Sequence, residues 1–282
     1  MLSRAIALLE NHLPIPRPLW VKLELLKTLV QRELAARYKG SILGNGWTLV
    51  NQLAQLLIMT YVFSVVLKVK TPVPLNPLVN DQLSFGAWLF AGLVPWNAFV
   101  NGVLPSTMAV VNQPSLVKKV VFPLTLLPLV PICTAFVDSV TGLVVLLVFW
   151  GITTRDVSDI IFLMPLVWVP QLLLTAGIGY LVAGLTVFLR DIPQTMGVIL
   201  NLMFYATPIM YPRDPKLIPE PFYSIILWNP FSAIAEVYRD LILVGKVEHW
   251  SDWGYLWIVA IVVFWVGSSI YRRLSPAFAD VL

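Results

Sequence analysis

Residues able to do covalent or metal chemistry are few in this chain, and they lie far apart. Two histidines, His12 and His249, and one cysteine, Cys133, are the whole supply of imidazole and thiolate ligands. A zinc site needs three or four such ligands together, and no Cys/His cluster provides them. No Gly-rich loop runs into a Lys-Ser or Lys-Thr pair, so a P-loop for ATP is not expected. A membrane-embedded glycosyl- or acyltransferase would need an acid/base pair near one interface. Only scattered carboxylates such as Asp156 and Asp159 are on offer. Asp138 stands apart as a carboxylate in an otherwise apolar run, where an ionisable group needs a partner or a function. A hydrogen bond to a neighbouring helix is the expected role, because the other spans hold no relay partner. The chain is therefore expected to have no catalytic set, no metal site and no cofactor of its own.

The elements that position these residues follow from composition. Of 282 residues, 58% are apolar and only 12% are charged, with a mean hydropathy of +0.81. Soluble domains carry about twice that share of charge. A disordered chain, a coiled coil and a disulfide scaffold are excluded. Runs free of Asp, Glu, Lys and Arg are long enough to cross a bilayer as helices of roughly 20 residues. They predict six transmembrane helices near 46–67, 84–111, 123–151, 160–187, 194–211 and 253–271. Runs such as Val140–Trp150 do not alternate apolar with polar residues, so a membrane barrel is disfavoured. The first 40 residues show no signal-peptide pattern.

With the N-terminus inside, 12 of the 19 basic residues fall on inner segments and 7 on outer ones. That bias predicts both termini in the cytoplasm. The net charge of +4 then reflects topology and anionic lipid heads, not nucleic acid. Residues 1–39 read as a cytoplasmic segment whose Leu19, Leu23, Leu26, Val30 and Leu34 form an amphipathic interface helix. Residues 40–282 read as one six-helix membrane domain. Asn112–Phe122 is a tight inner turn in which Pro114 suits a first helical position. Pro212–Asp252 is too apolar for a solvated loop and predicts two short outer helices, dipping back toward the bilayer and split at Asn229-Pro230. Trp47, Trp88, Trp96, Trp150, Trp228, Trp250, Trp253 and Tyr271 fall near span ends, as an interfacial belt would. Thr175, Gly179 and Ala183 form a small-residue stripe that lets helices approach, within the chain or between copies.

Several motifs in order resemble the ABC-2 type permeases that export polysaccharides such as O-antigen of lipopolysaccharide, capsule or teichoic acid. They are Arg37-Tyr38-Lys39-Gly40-Ser41 with Leu43-Gly44 and Trp47, then Gly92-Leu93-Val94-Pro95-Trp96, then Leu116-Val117-Lys118-Lys119-Val120-Val121-Phe122-Pro123. Arg190-Asp191, Pro208-Ile209-Met210-Tyr211-Pro212, Asn229-Pro230 with Arg239, and Phe278-Ala279-Asp280 complete the set. The resemblance covers about residues 20–282. One departure is visible: Asn51-Gln52-Leu53 stands where members of the family often carry a Pro-Leu pair, so a polar pair faces a lumen or another helix in place of a kink.

The resemblance implies a homodimer bound to two copies of a separate ABC ATPase, which holds the ATP and magnesium. It implies a multi-pass protein of the bacterial inner membrane that moves a lipid-linked glycan from the cytoplasm. Pro114, Ser115, Leu116, Lys118, Lys119 and Phe122 are then expected to couple to the ATPase. Arg37, Tyr38, Lys39 and Trp47 are expected at the substrate entrance, with Arg190 and Asp191 in a cytoplasmic loop. Asn229, Pro230 and Arg239 are expected at an outer gate. An ABC-2 exporter of a drug or of a lipid without glycan stays open beside this expectation.

Overall fold

In an apolar solvent every backbone N–H and C=O must be satisfied within the protein, and helices do this segment by segment. The computed structural model describes residues 17–69, 81–118, 122–155 and 158–282, and every regular element among them is helical. His12, Lys119 and Asp156 lie outside the described residues. Helix α1 spans Arg17–Arg37, and α2 spans Gly46–Met59 before continuing as π-helical turns over Thr60–Val66. Helix α3 is Asp81–Met108, α4 is the single turn Pro114–Val117, and α5 is Leu129–Thr154. Then follow α6, Met164–Thr186, and α7, Ile192–Ala206. Two shorter helices follow, α8, Phe222–Leu227, and α9, Pro230–Arg239. Helix α10 is Trp250–Leu274, and the closing turn α11 is Phe278–Val281.

Among the described residues, four helical stretches are long and apolar enough to cross a membrane: Leu83–Met108, Leu124–Thr154, Asp159–Thr186 and Trp250–Val281. Two of the expected spans differ from the sequence reading. The fifth ends at Ala206, not at residue 211, because Pro208 drives Thr207 into extended backbone with ψ 135°. Its 15 residues rise about 22 Å at 1.5 Å each, short of a ~30 Å hydrocarbon core. The first passes into π-helix from Thr60, where its side chain occupies the space that a Cβ on Gly86 would need.

Helix α3 is the centre of the bundle. Its apolar residues from Phe85 to Val103 pack on α5, α6 and α9, and Ala87, Leu89, Phe90 and Ala91 are wholly buried. A polar chain threads this core: Tyr238 donates to Gln171 Oε1 at 2.7 Å, and Gln171 Nε2 donates to the Pro95 carbonyl at 3.0 Å. Helices α6 and α10 touch backbone to backbone. A Cβ on Gly177 would lie 2.6 Å from the Val263 carbonyl, and one on Gly267 would overlap the Gly177 carbonyl. The expected stripe Thr175, Gly179 and Ala183 is also buried, with Gly179 against Ile132 and Ser106. It is thus an intrachain contact.

Helix α1 lies against α5 through the C-terminal half of the expected stripe. Leu26, Val30 and Leu34 join Leu29 against Leu126 and Val130, whereas Leu19 and Leu23 are exposed. The polar pair on α2 divides: Asn51 is exposed, while Gln52 Oε1 sits where Gly142 of α5 leaves room. Of the two neighbours foreseen for that pair, Gln52 meets another helix.

Candidate functional site

At one end of the bundle, Arg37 closes α1 and forms an ion pair with Asp138 of α5. The carboxylate in the apolar run thus has its partner, from the neighbouring helix α1. Gly40 and Gly44 carry positive φ of 82° and 50°, which a side chain would resist, and they turn the chain from α1 into α2. Across that turn Trp47 Nε1 donates to Ser41 Oγ at 2.8 Å, while the Thr48 hydroxyl lies 3.4 Å from the Tyr38 hydroxyl. Lys39 and Trp47 are exposed, and Tyr38 is half buried. The four residues expected at a substrate entrance therefore share one corner of the molecule.

The expected coupling segment contains the single turn α4. Pro114 takes the first helical position, where its missing N–H costs nothing. Pro114, Ser115 and Lys118 are exposed, Leu116 and Phe122 are half buried, and Val117 is buried in a cluster with Tyr271 and Phe278. The turn is thus fastened from behind by the C-terminal tail and presents a short polar edge. Arg190 and Asp191 are exposed in the turn between α6 and α7, where the Asp191 carbonyl accepts from the Thr195 hydroxyl at 3.0 Å.

At the other end, Asn229 caps α9. Its Oδ1 accepts from the Phe231 N–H at 3.0 Å and its Nδ2 donates to Thr207 Oγ1 at 2.9 Å. Helix α9 is largely buried, so it enters the bundle as a re-entrant element. Arg239, read from sequence as a gate residue, is 2% exposed. Its guanidinium lies 3.5 Å from the centre of the Trp88 ring and donates to the Pro208 carbonyl, the Ile209 carbonyl and Glu236 Oε1 at 3.0, 3.0 and 3.1 Å. It is a strut that joins α3, the end of α7 and α9. Asn229 and Arg239, at opposite ends of α9, both bind the 207–209 turn, at Thr207 and at the Pro208 and Ile209 carbonyls.

In front of this strut opens a cavity of about 750 Å³. Phe85, Trp88, Tyr211 and Tyr223 contribute aromatic wall, and Arg213, Asp214, Glu236, Glu248 and His249 contribute charge. Arg213 pairs with Asp252 at 2.5 Å. Asp240 accepts from the backbone N–H groups of Glu248 and His249, both at 2.9 Å, and from the His249 ring at 3.0 Å. That ring hydrogen bond, opposed in part by burial, raises the His249 pKa above its ordinary value. Among the described residues, no group of three or more His, Cys, Asp or Glu is placed to hold a metal ion. Sequence reasoning missed the cavity, although its aromatic and charged residues cluster visibly between 205 and 255. It also missed Gln171 and Tyr238, for which the signal was a glutamine in a charge-free run.

Comparison with known proteins decides the family. The family model described as "ABC-2 type transporter" matches residues 24–243. The chain belongs to the ABC-2 type transporter family. Among the relatives of this ABC-2 chain is the O-antigen export system permease protein RfbA of Klebsiella pneumoniae, 29% identical over 92% of this chain and 95% of the relative. The protein of the same name from Myxococcus xanthus is 30% identical over 91% and 94%. The polysialic acid transport protein KpsM of Escherichia coli is 25% identical over 89% and 93%. As an ABC-2 permease the chain is a membrane-embedded transporter component, not an enzyme, and it works with a separate ABC ATPase. The membrane transferase weighed from sequence is set aside on that ground.

Proposed function

We propose that this chain is the permease subunit of an ATP-driven exporter that moves a lipid-linked polysaccharide out of the cytoplasm across the inner membrane. The observation that carries the reading is the similarity to O-antigen export permeases over more than nine-tenths of both chains. In this reading α2, α3, α5, α6, α7 and α10 are the six spans and both termini are cytoplasmic. Two copies form the conduit and two ATPase subunits drive it. The exposed edge of Pro114, Ser115 and Lys118, with neighbouring Lys119, receives the ATPase stroke. It suits that task because Val117 is fixed in the core behind it, so a push is transmitted and not absorbed. Arg37, Tyr38, Lys39 and Trp47 meet the lipid-linked substrate, with α1 along the inner interface and its exposed Leu19, Val21 and Leu23 toward lipid. Asn229 and Pro230 hinge the outer gate, which the Arg239 strut anchors. ATP and magnesium reside on the ATPase.

The test is a strain deleted for the chain and complemented with wild type or with Lys118→Glu/Lys119→Glu. Wild type is expected to restore surface polysaccharide. The double variant is expected to accumulate in the membrane, to co-purify with active ATPase, and to export none. Wild-type export by that variant would remove the turn from the mechanism. Surface polysaccharide unaffected by deletion would end the polysaccharide reading itself.

A further inference from the structure

The 750 Å³ cavity falls within the ~300–1,000 Å³ of small-molecule sites, yet it is lined by charge beside aromatic rings and is therefore no place for an alkyl chain. Its two kinds of wall suit one ligand chemistry. Aromatic faces such as Phe85, Tyr211 and Tyr223 pack on C–H surfaces, while charged edges bind hydroxyls. The face of Trp88 is covered by Arg239, and Phe85 is buried and stacked on Trp88, so Tyr211 and Tyr223 are the platforms left. One donor also waits unpaired. The Arg213 side chain is nine-tenths buried; its Nη2 bonds Asp252, and its Nη1 is buried with no hydrogen-bond partner. Buried donors in folded proteins nearly always find an acceptor, so this one marks where a ligand oxygen belongs.

Charge then narrows the ligand. Among the described residues, the cavity's charged groups and their ion-pair partners comprise the acids Asp214, Glu236, Asp240, Glu248 and Asp252 against the bases Arg213, Arg239 and Lys246. The balance stays negative even with His249 charged. An acidic sugar would enter against that field, whereas neutral hydroxyls accept and donate without cost. We infer that the cavity between the start of α3, the 207–214 turn, α8 and α9 is a saccharide-binding site for uncharged sugar units. It rests on the export reading and sharpens it: the cargo that this chain holds at its outer end is a neutral glycan. Tyr211 and Tyr223 stack the ring, and Arg213 takes a hydroxyl oxygen.

Saturation-transfer NMR on the full chain with its ATPase in nanodiscs tests this. The probes are maltotetraose, chitotetraose and a tetramer of sialic acid. At least one neutral tetrasaccharide is expected to bind, and the sialic acid tetramer to bind about tenfold or more weaker. Tyr223→Ala and Arg213→Gln are each expected to weaken neutral binding about tenfold, the loss of one stacking or hydrogen-bonding partner. Tyr223 lies on the exposed α8, so that variant keeps the core intact if Arg213→Gln fails to fold. No binding by any probe, equal binding in Tyr223→Ala, or preference for the sialic acid tetramer would each overturn the assignment. The surface-polysaccharide assay separates the two claims. Export that needs the chain but ignores Tyr223→Ala sinks the site alone, whereas export that does not need the chain sinks the export reading.

Discussion

Replacement of Arg239 by Met tests the packing where α3, α9 and the 207–209 turn meet. Methionine keeps much of the side-chain volume and removes every donor. The Pro208 and Ile209 carbonyls lose bonds of 3.0 Å each, Glu236 loses its 3.1 Å partner, and Trp88 loses the cation 3.5 Å above its ring. Hydrogen bonds to a charged group contribute roughly 1.5–3 kcal/mol each, and a desolvated cation–π contact about 2. Their plain sum overshoots, because burying the guanidinium is itself costly. Measured losses for removing one partner of a buried pair run about 3–5 kcal/mol, and that is the expected cost here. At roughly 2–4 °C per kcal/mol the Tm should fall by roughly 6–20 °C. The assay is thermal unfolding of the purified chain followed by intrinsic fluorescence. Arg239→Lys should recover less than half of the loss, because an ammonium cannot reach two carbonyls, a carboxylate and a ring face at once. Adding Glu236→Met to Arg239→Met should restore only part of the loss, because the uncompensated carboxylate is gone but the two carbonyls remain orphaned. A wild-type Tm for Arg239→Met would refute the strut.

Three further outcomes are expected. Gly267→Ala drives a methyl into the Gly177 carbonyl, so α6 and α10 must separate; the variant should lose several degrees of Tm, while Gly197→Ala, where a Cβ meets nothing within 4 Å, should not. Asp138→Asn leaves Arg37 without its counter-ion and should cost roughly 1–3 kcal/mol, between an exposed and a fully buried pair; charge-reversed Arg37→Asp with Asp138→Arg should recover part of it in the same assay. His249 has a raised folded-state pKa, with Asp240 and Glu236 raising it and burial and Arg213 opposing, so its stabilising contribution is complete below about pH 6.5 and fades as pH rises through the higher folded value. The Tm of wild type minus that of His249→Gln should therefore shrink between about pH 6 and pH 8, and a constant difference would contradict the His249–Asp240 pair.

The chain's local grammar was legible before any coordinates. Charge-free runs announced the helices because a bilayer admits few other spans. Pro114 at a first helical position and the helix break at Asn229-Pro230 follow from the chemistry of single residues. Helix ends were less certain. The fifth span overran by a few residues because an apolar run continues through Pro208, and hydropathy does not register a backbone constraint.

Sequence alone determined that this protein is helical, membrane-embedded and without a catalytic set, since those are properties of composition and of short neighbourhoods. Tertiary structure alone decided which groups meet. Arg37 and Asp138 are 101 residues apart in the chain, and Tyr238 and Gln171 are 67. Only folding brought Arg239 onto Trp88 and two carbonyls. The reason is the solvent. In water an apolar stripe tells which face of a helix turns inward, whereas in lipid both faces are apolar and the stripe vanishes. Polar pairs and glycine contacts between distant helices then set the packing, and they become visible only when the helices are already side by side.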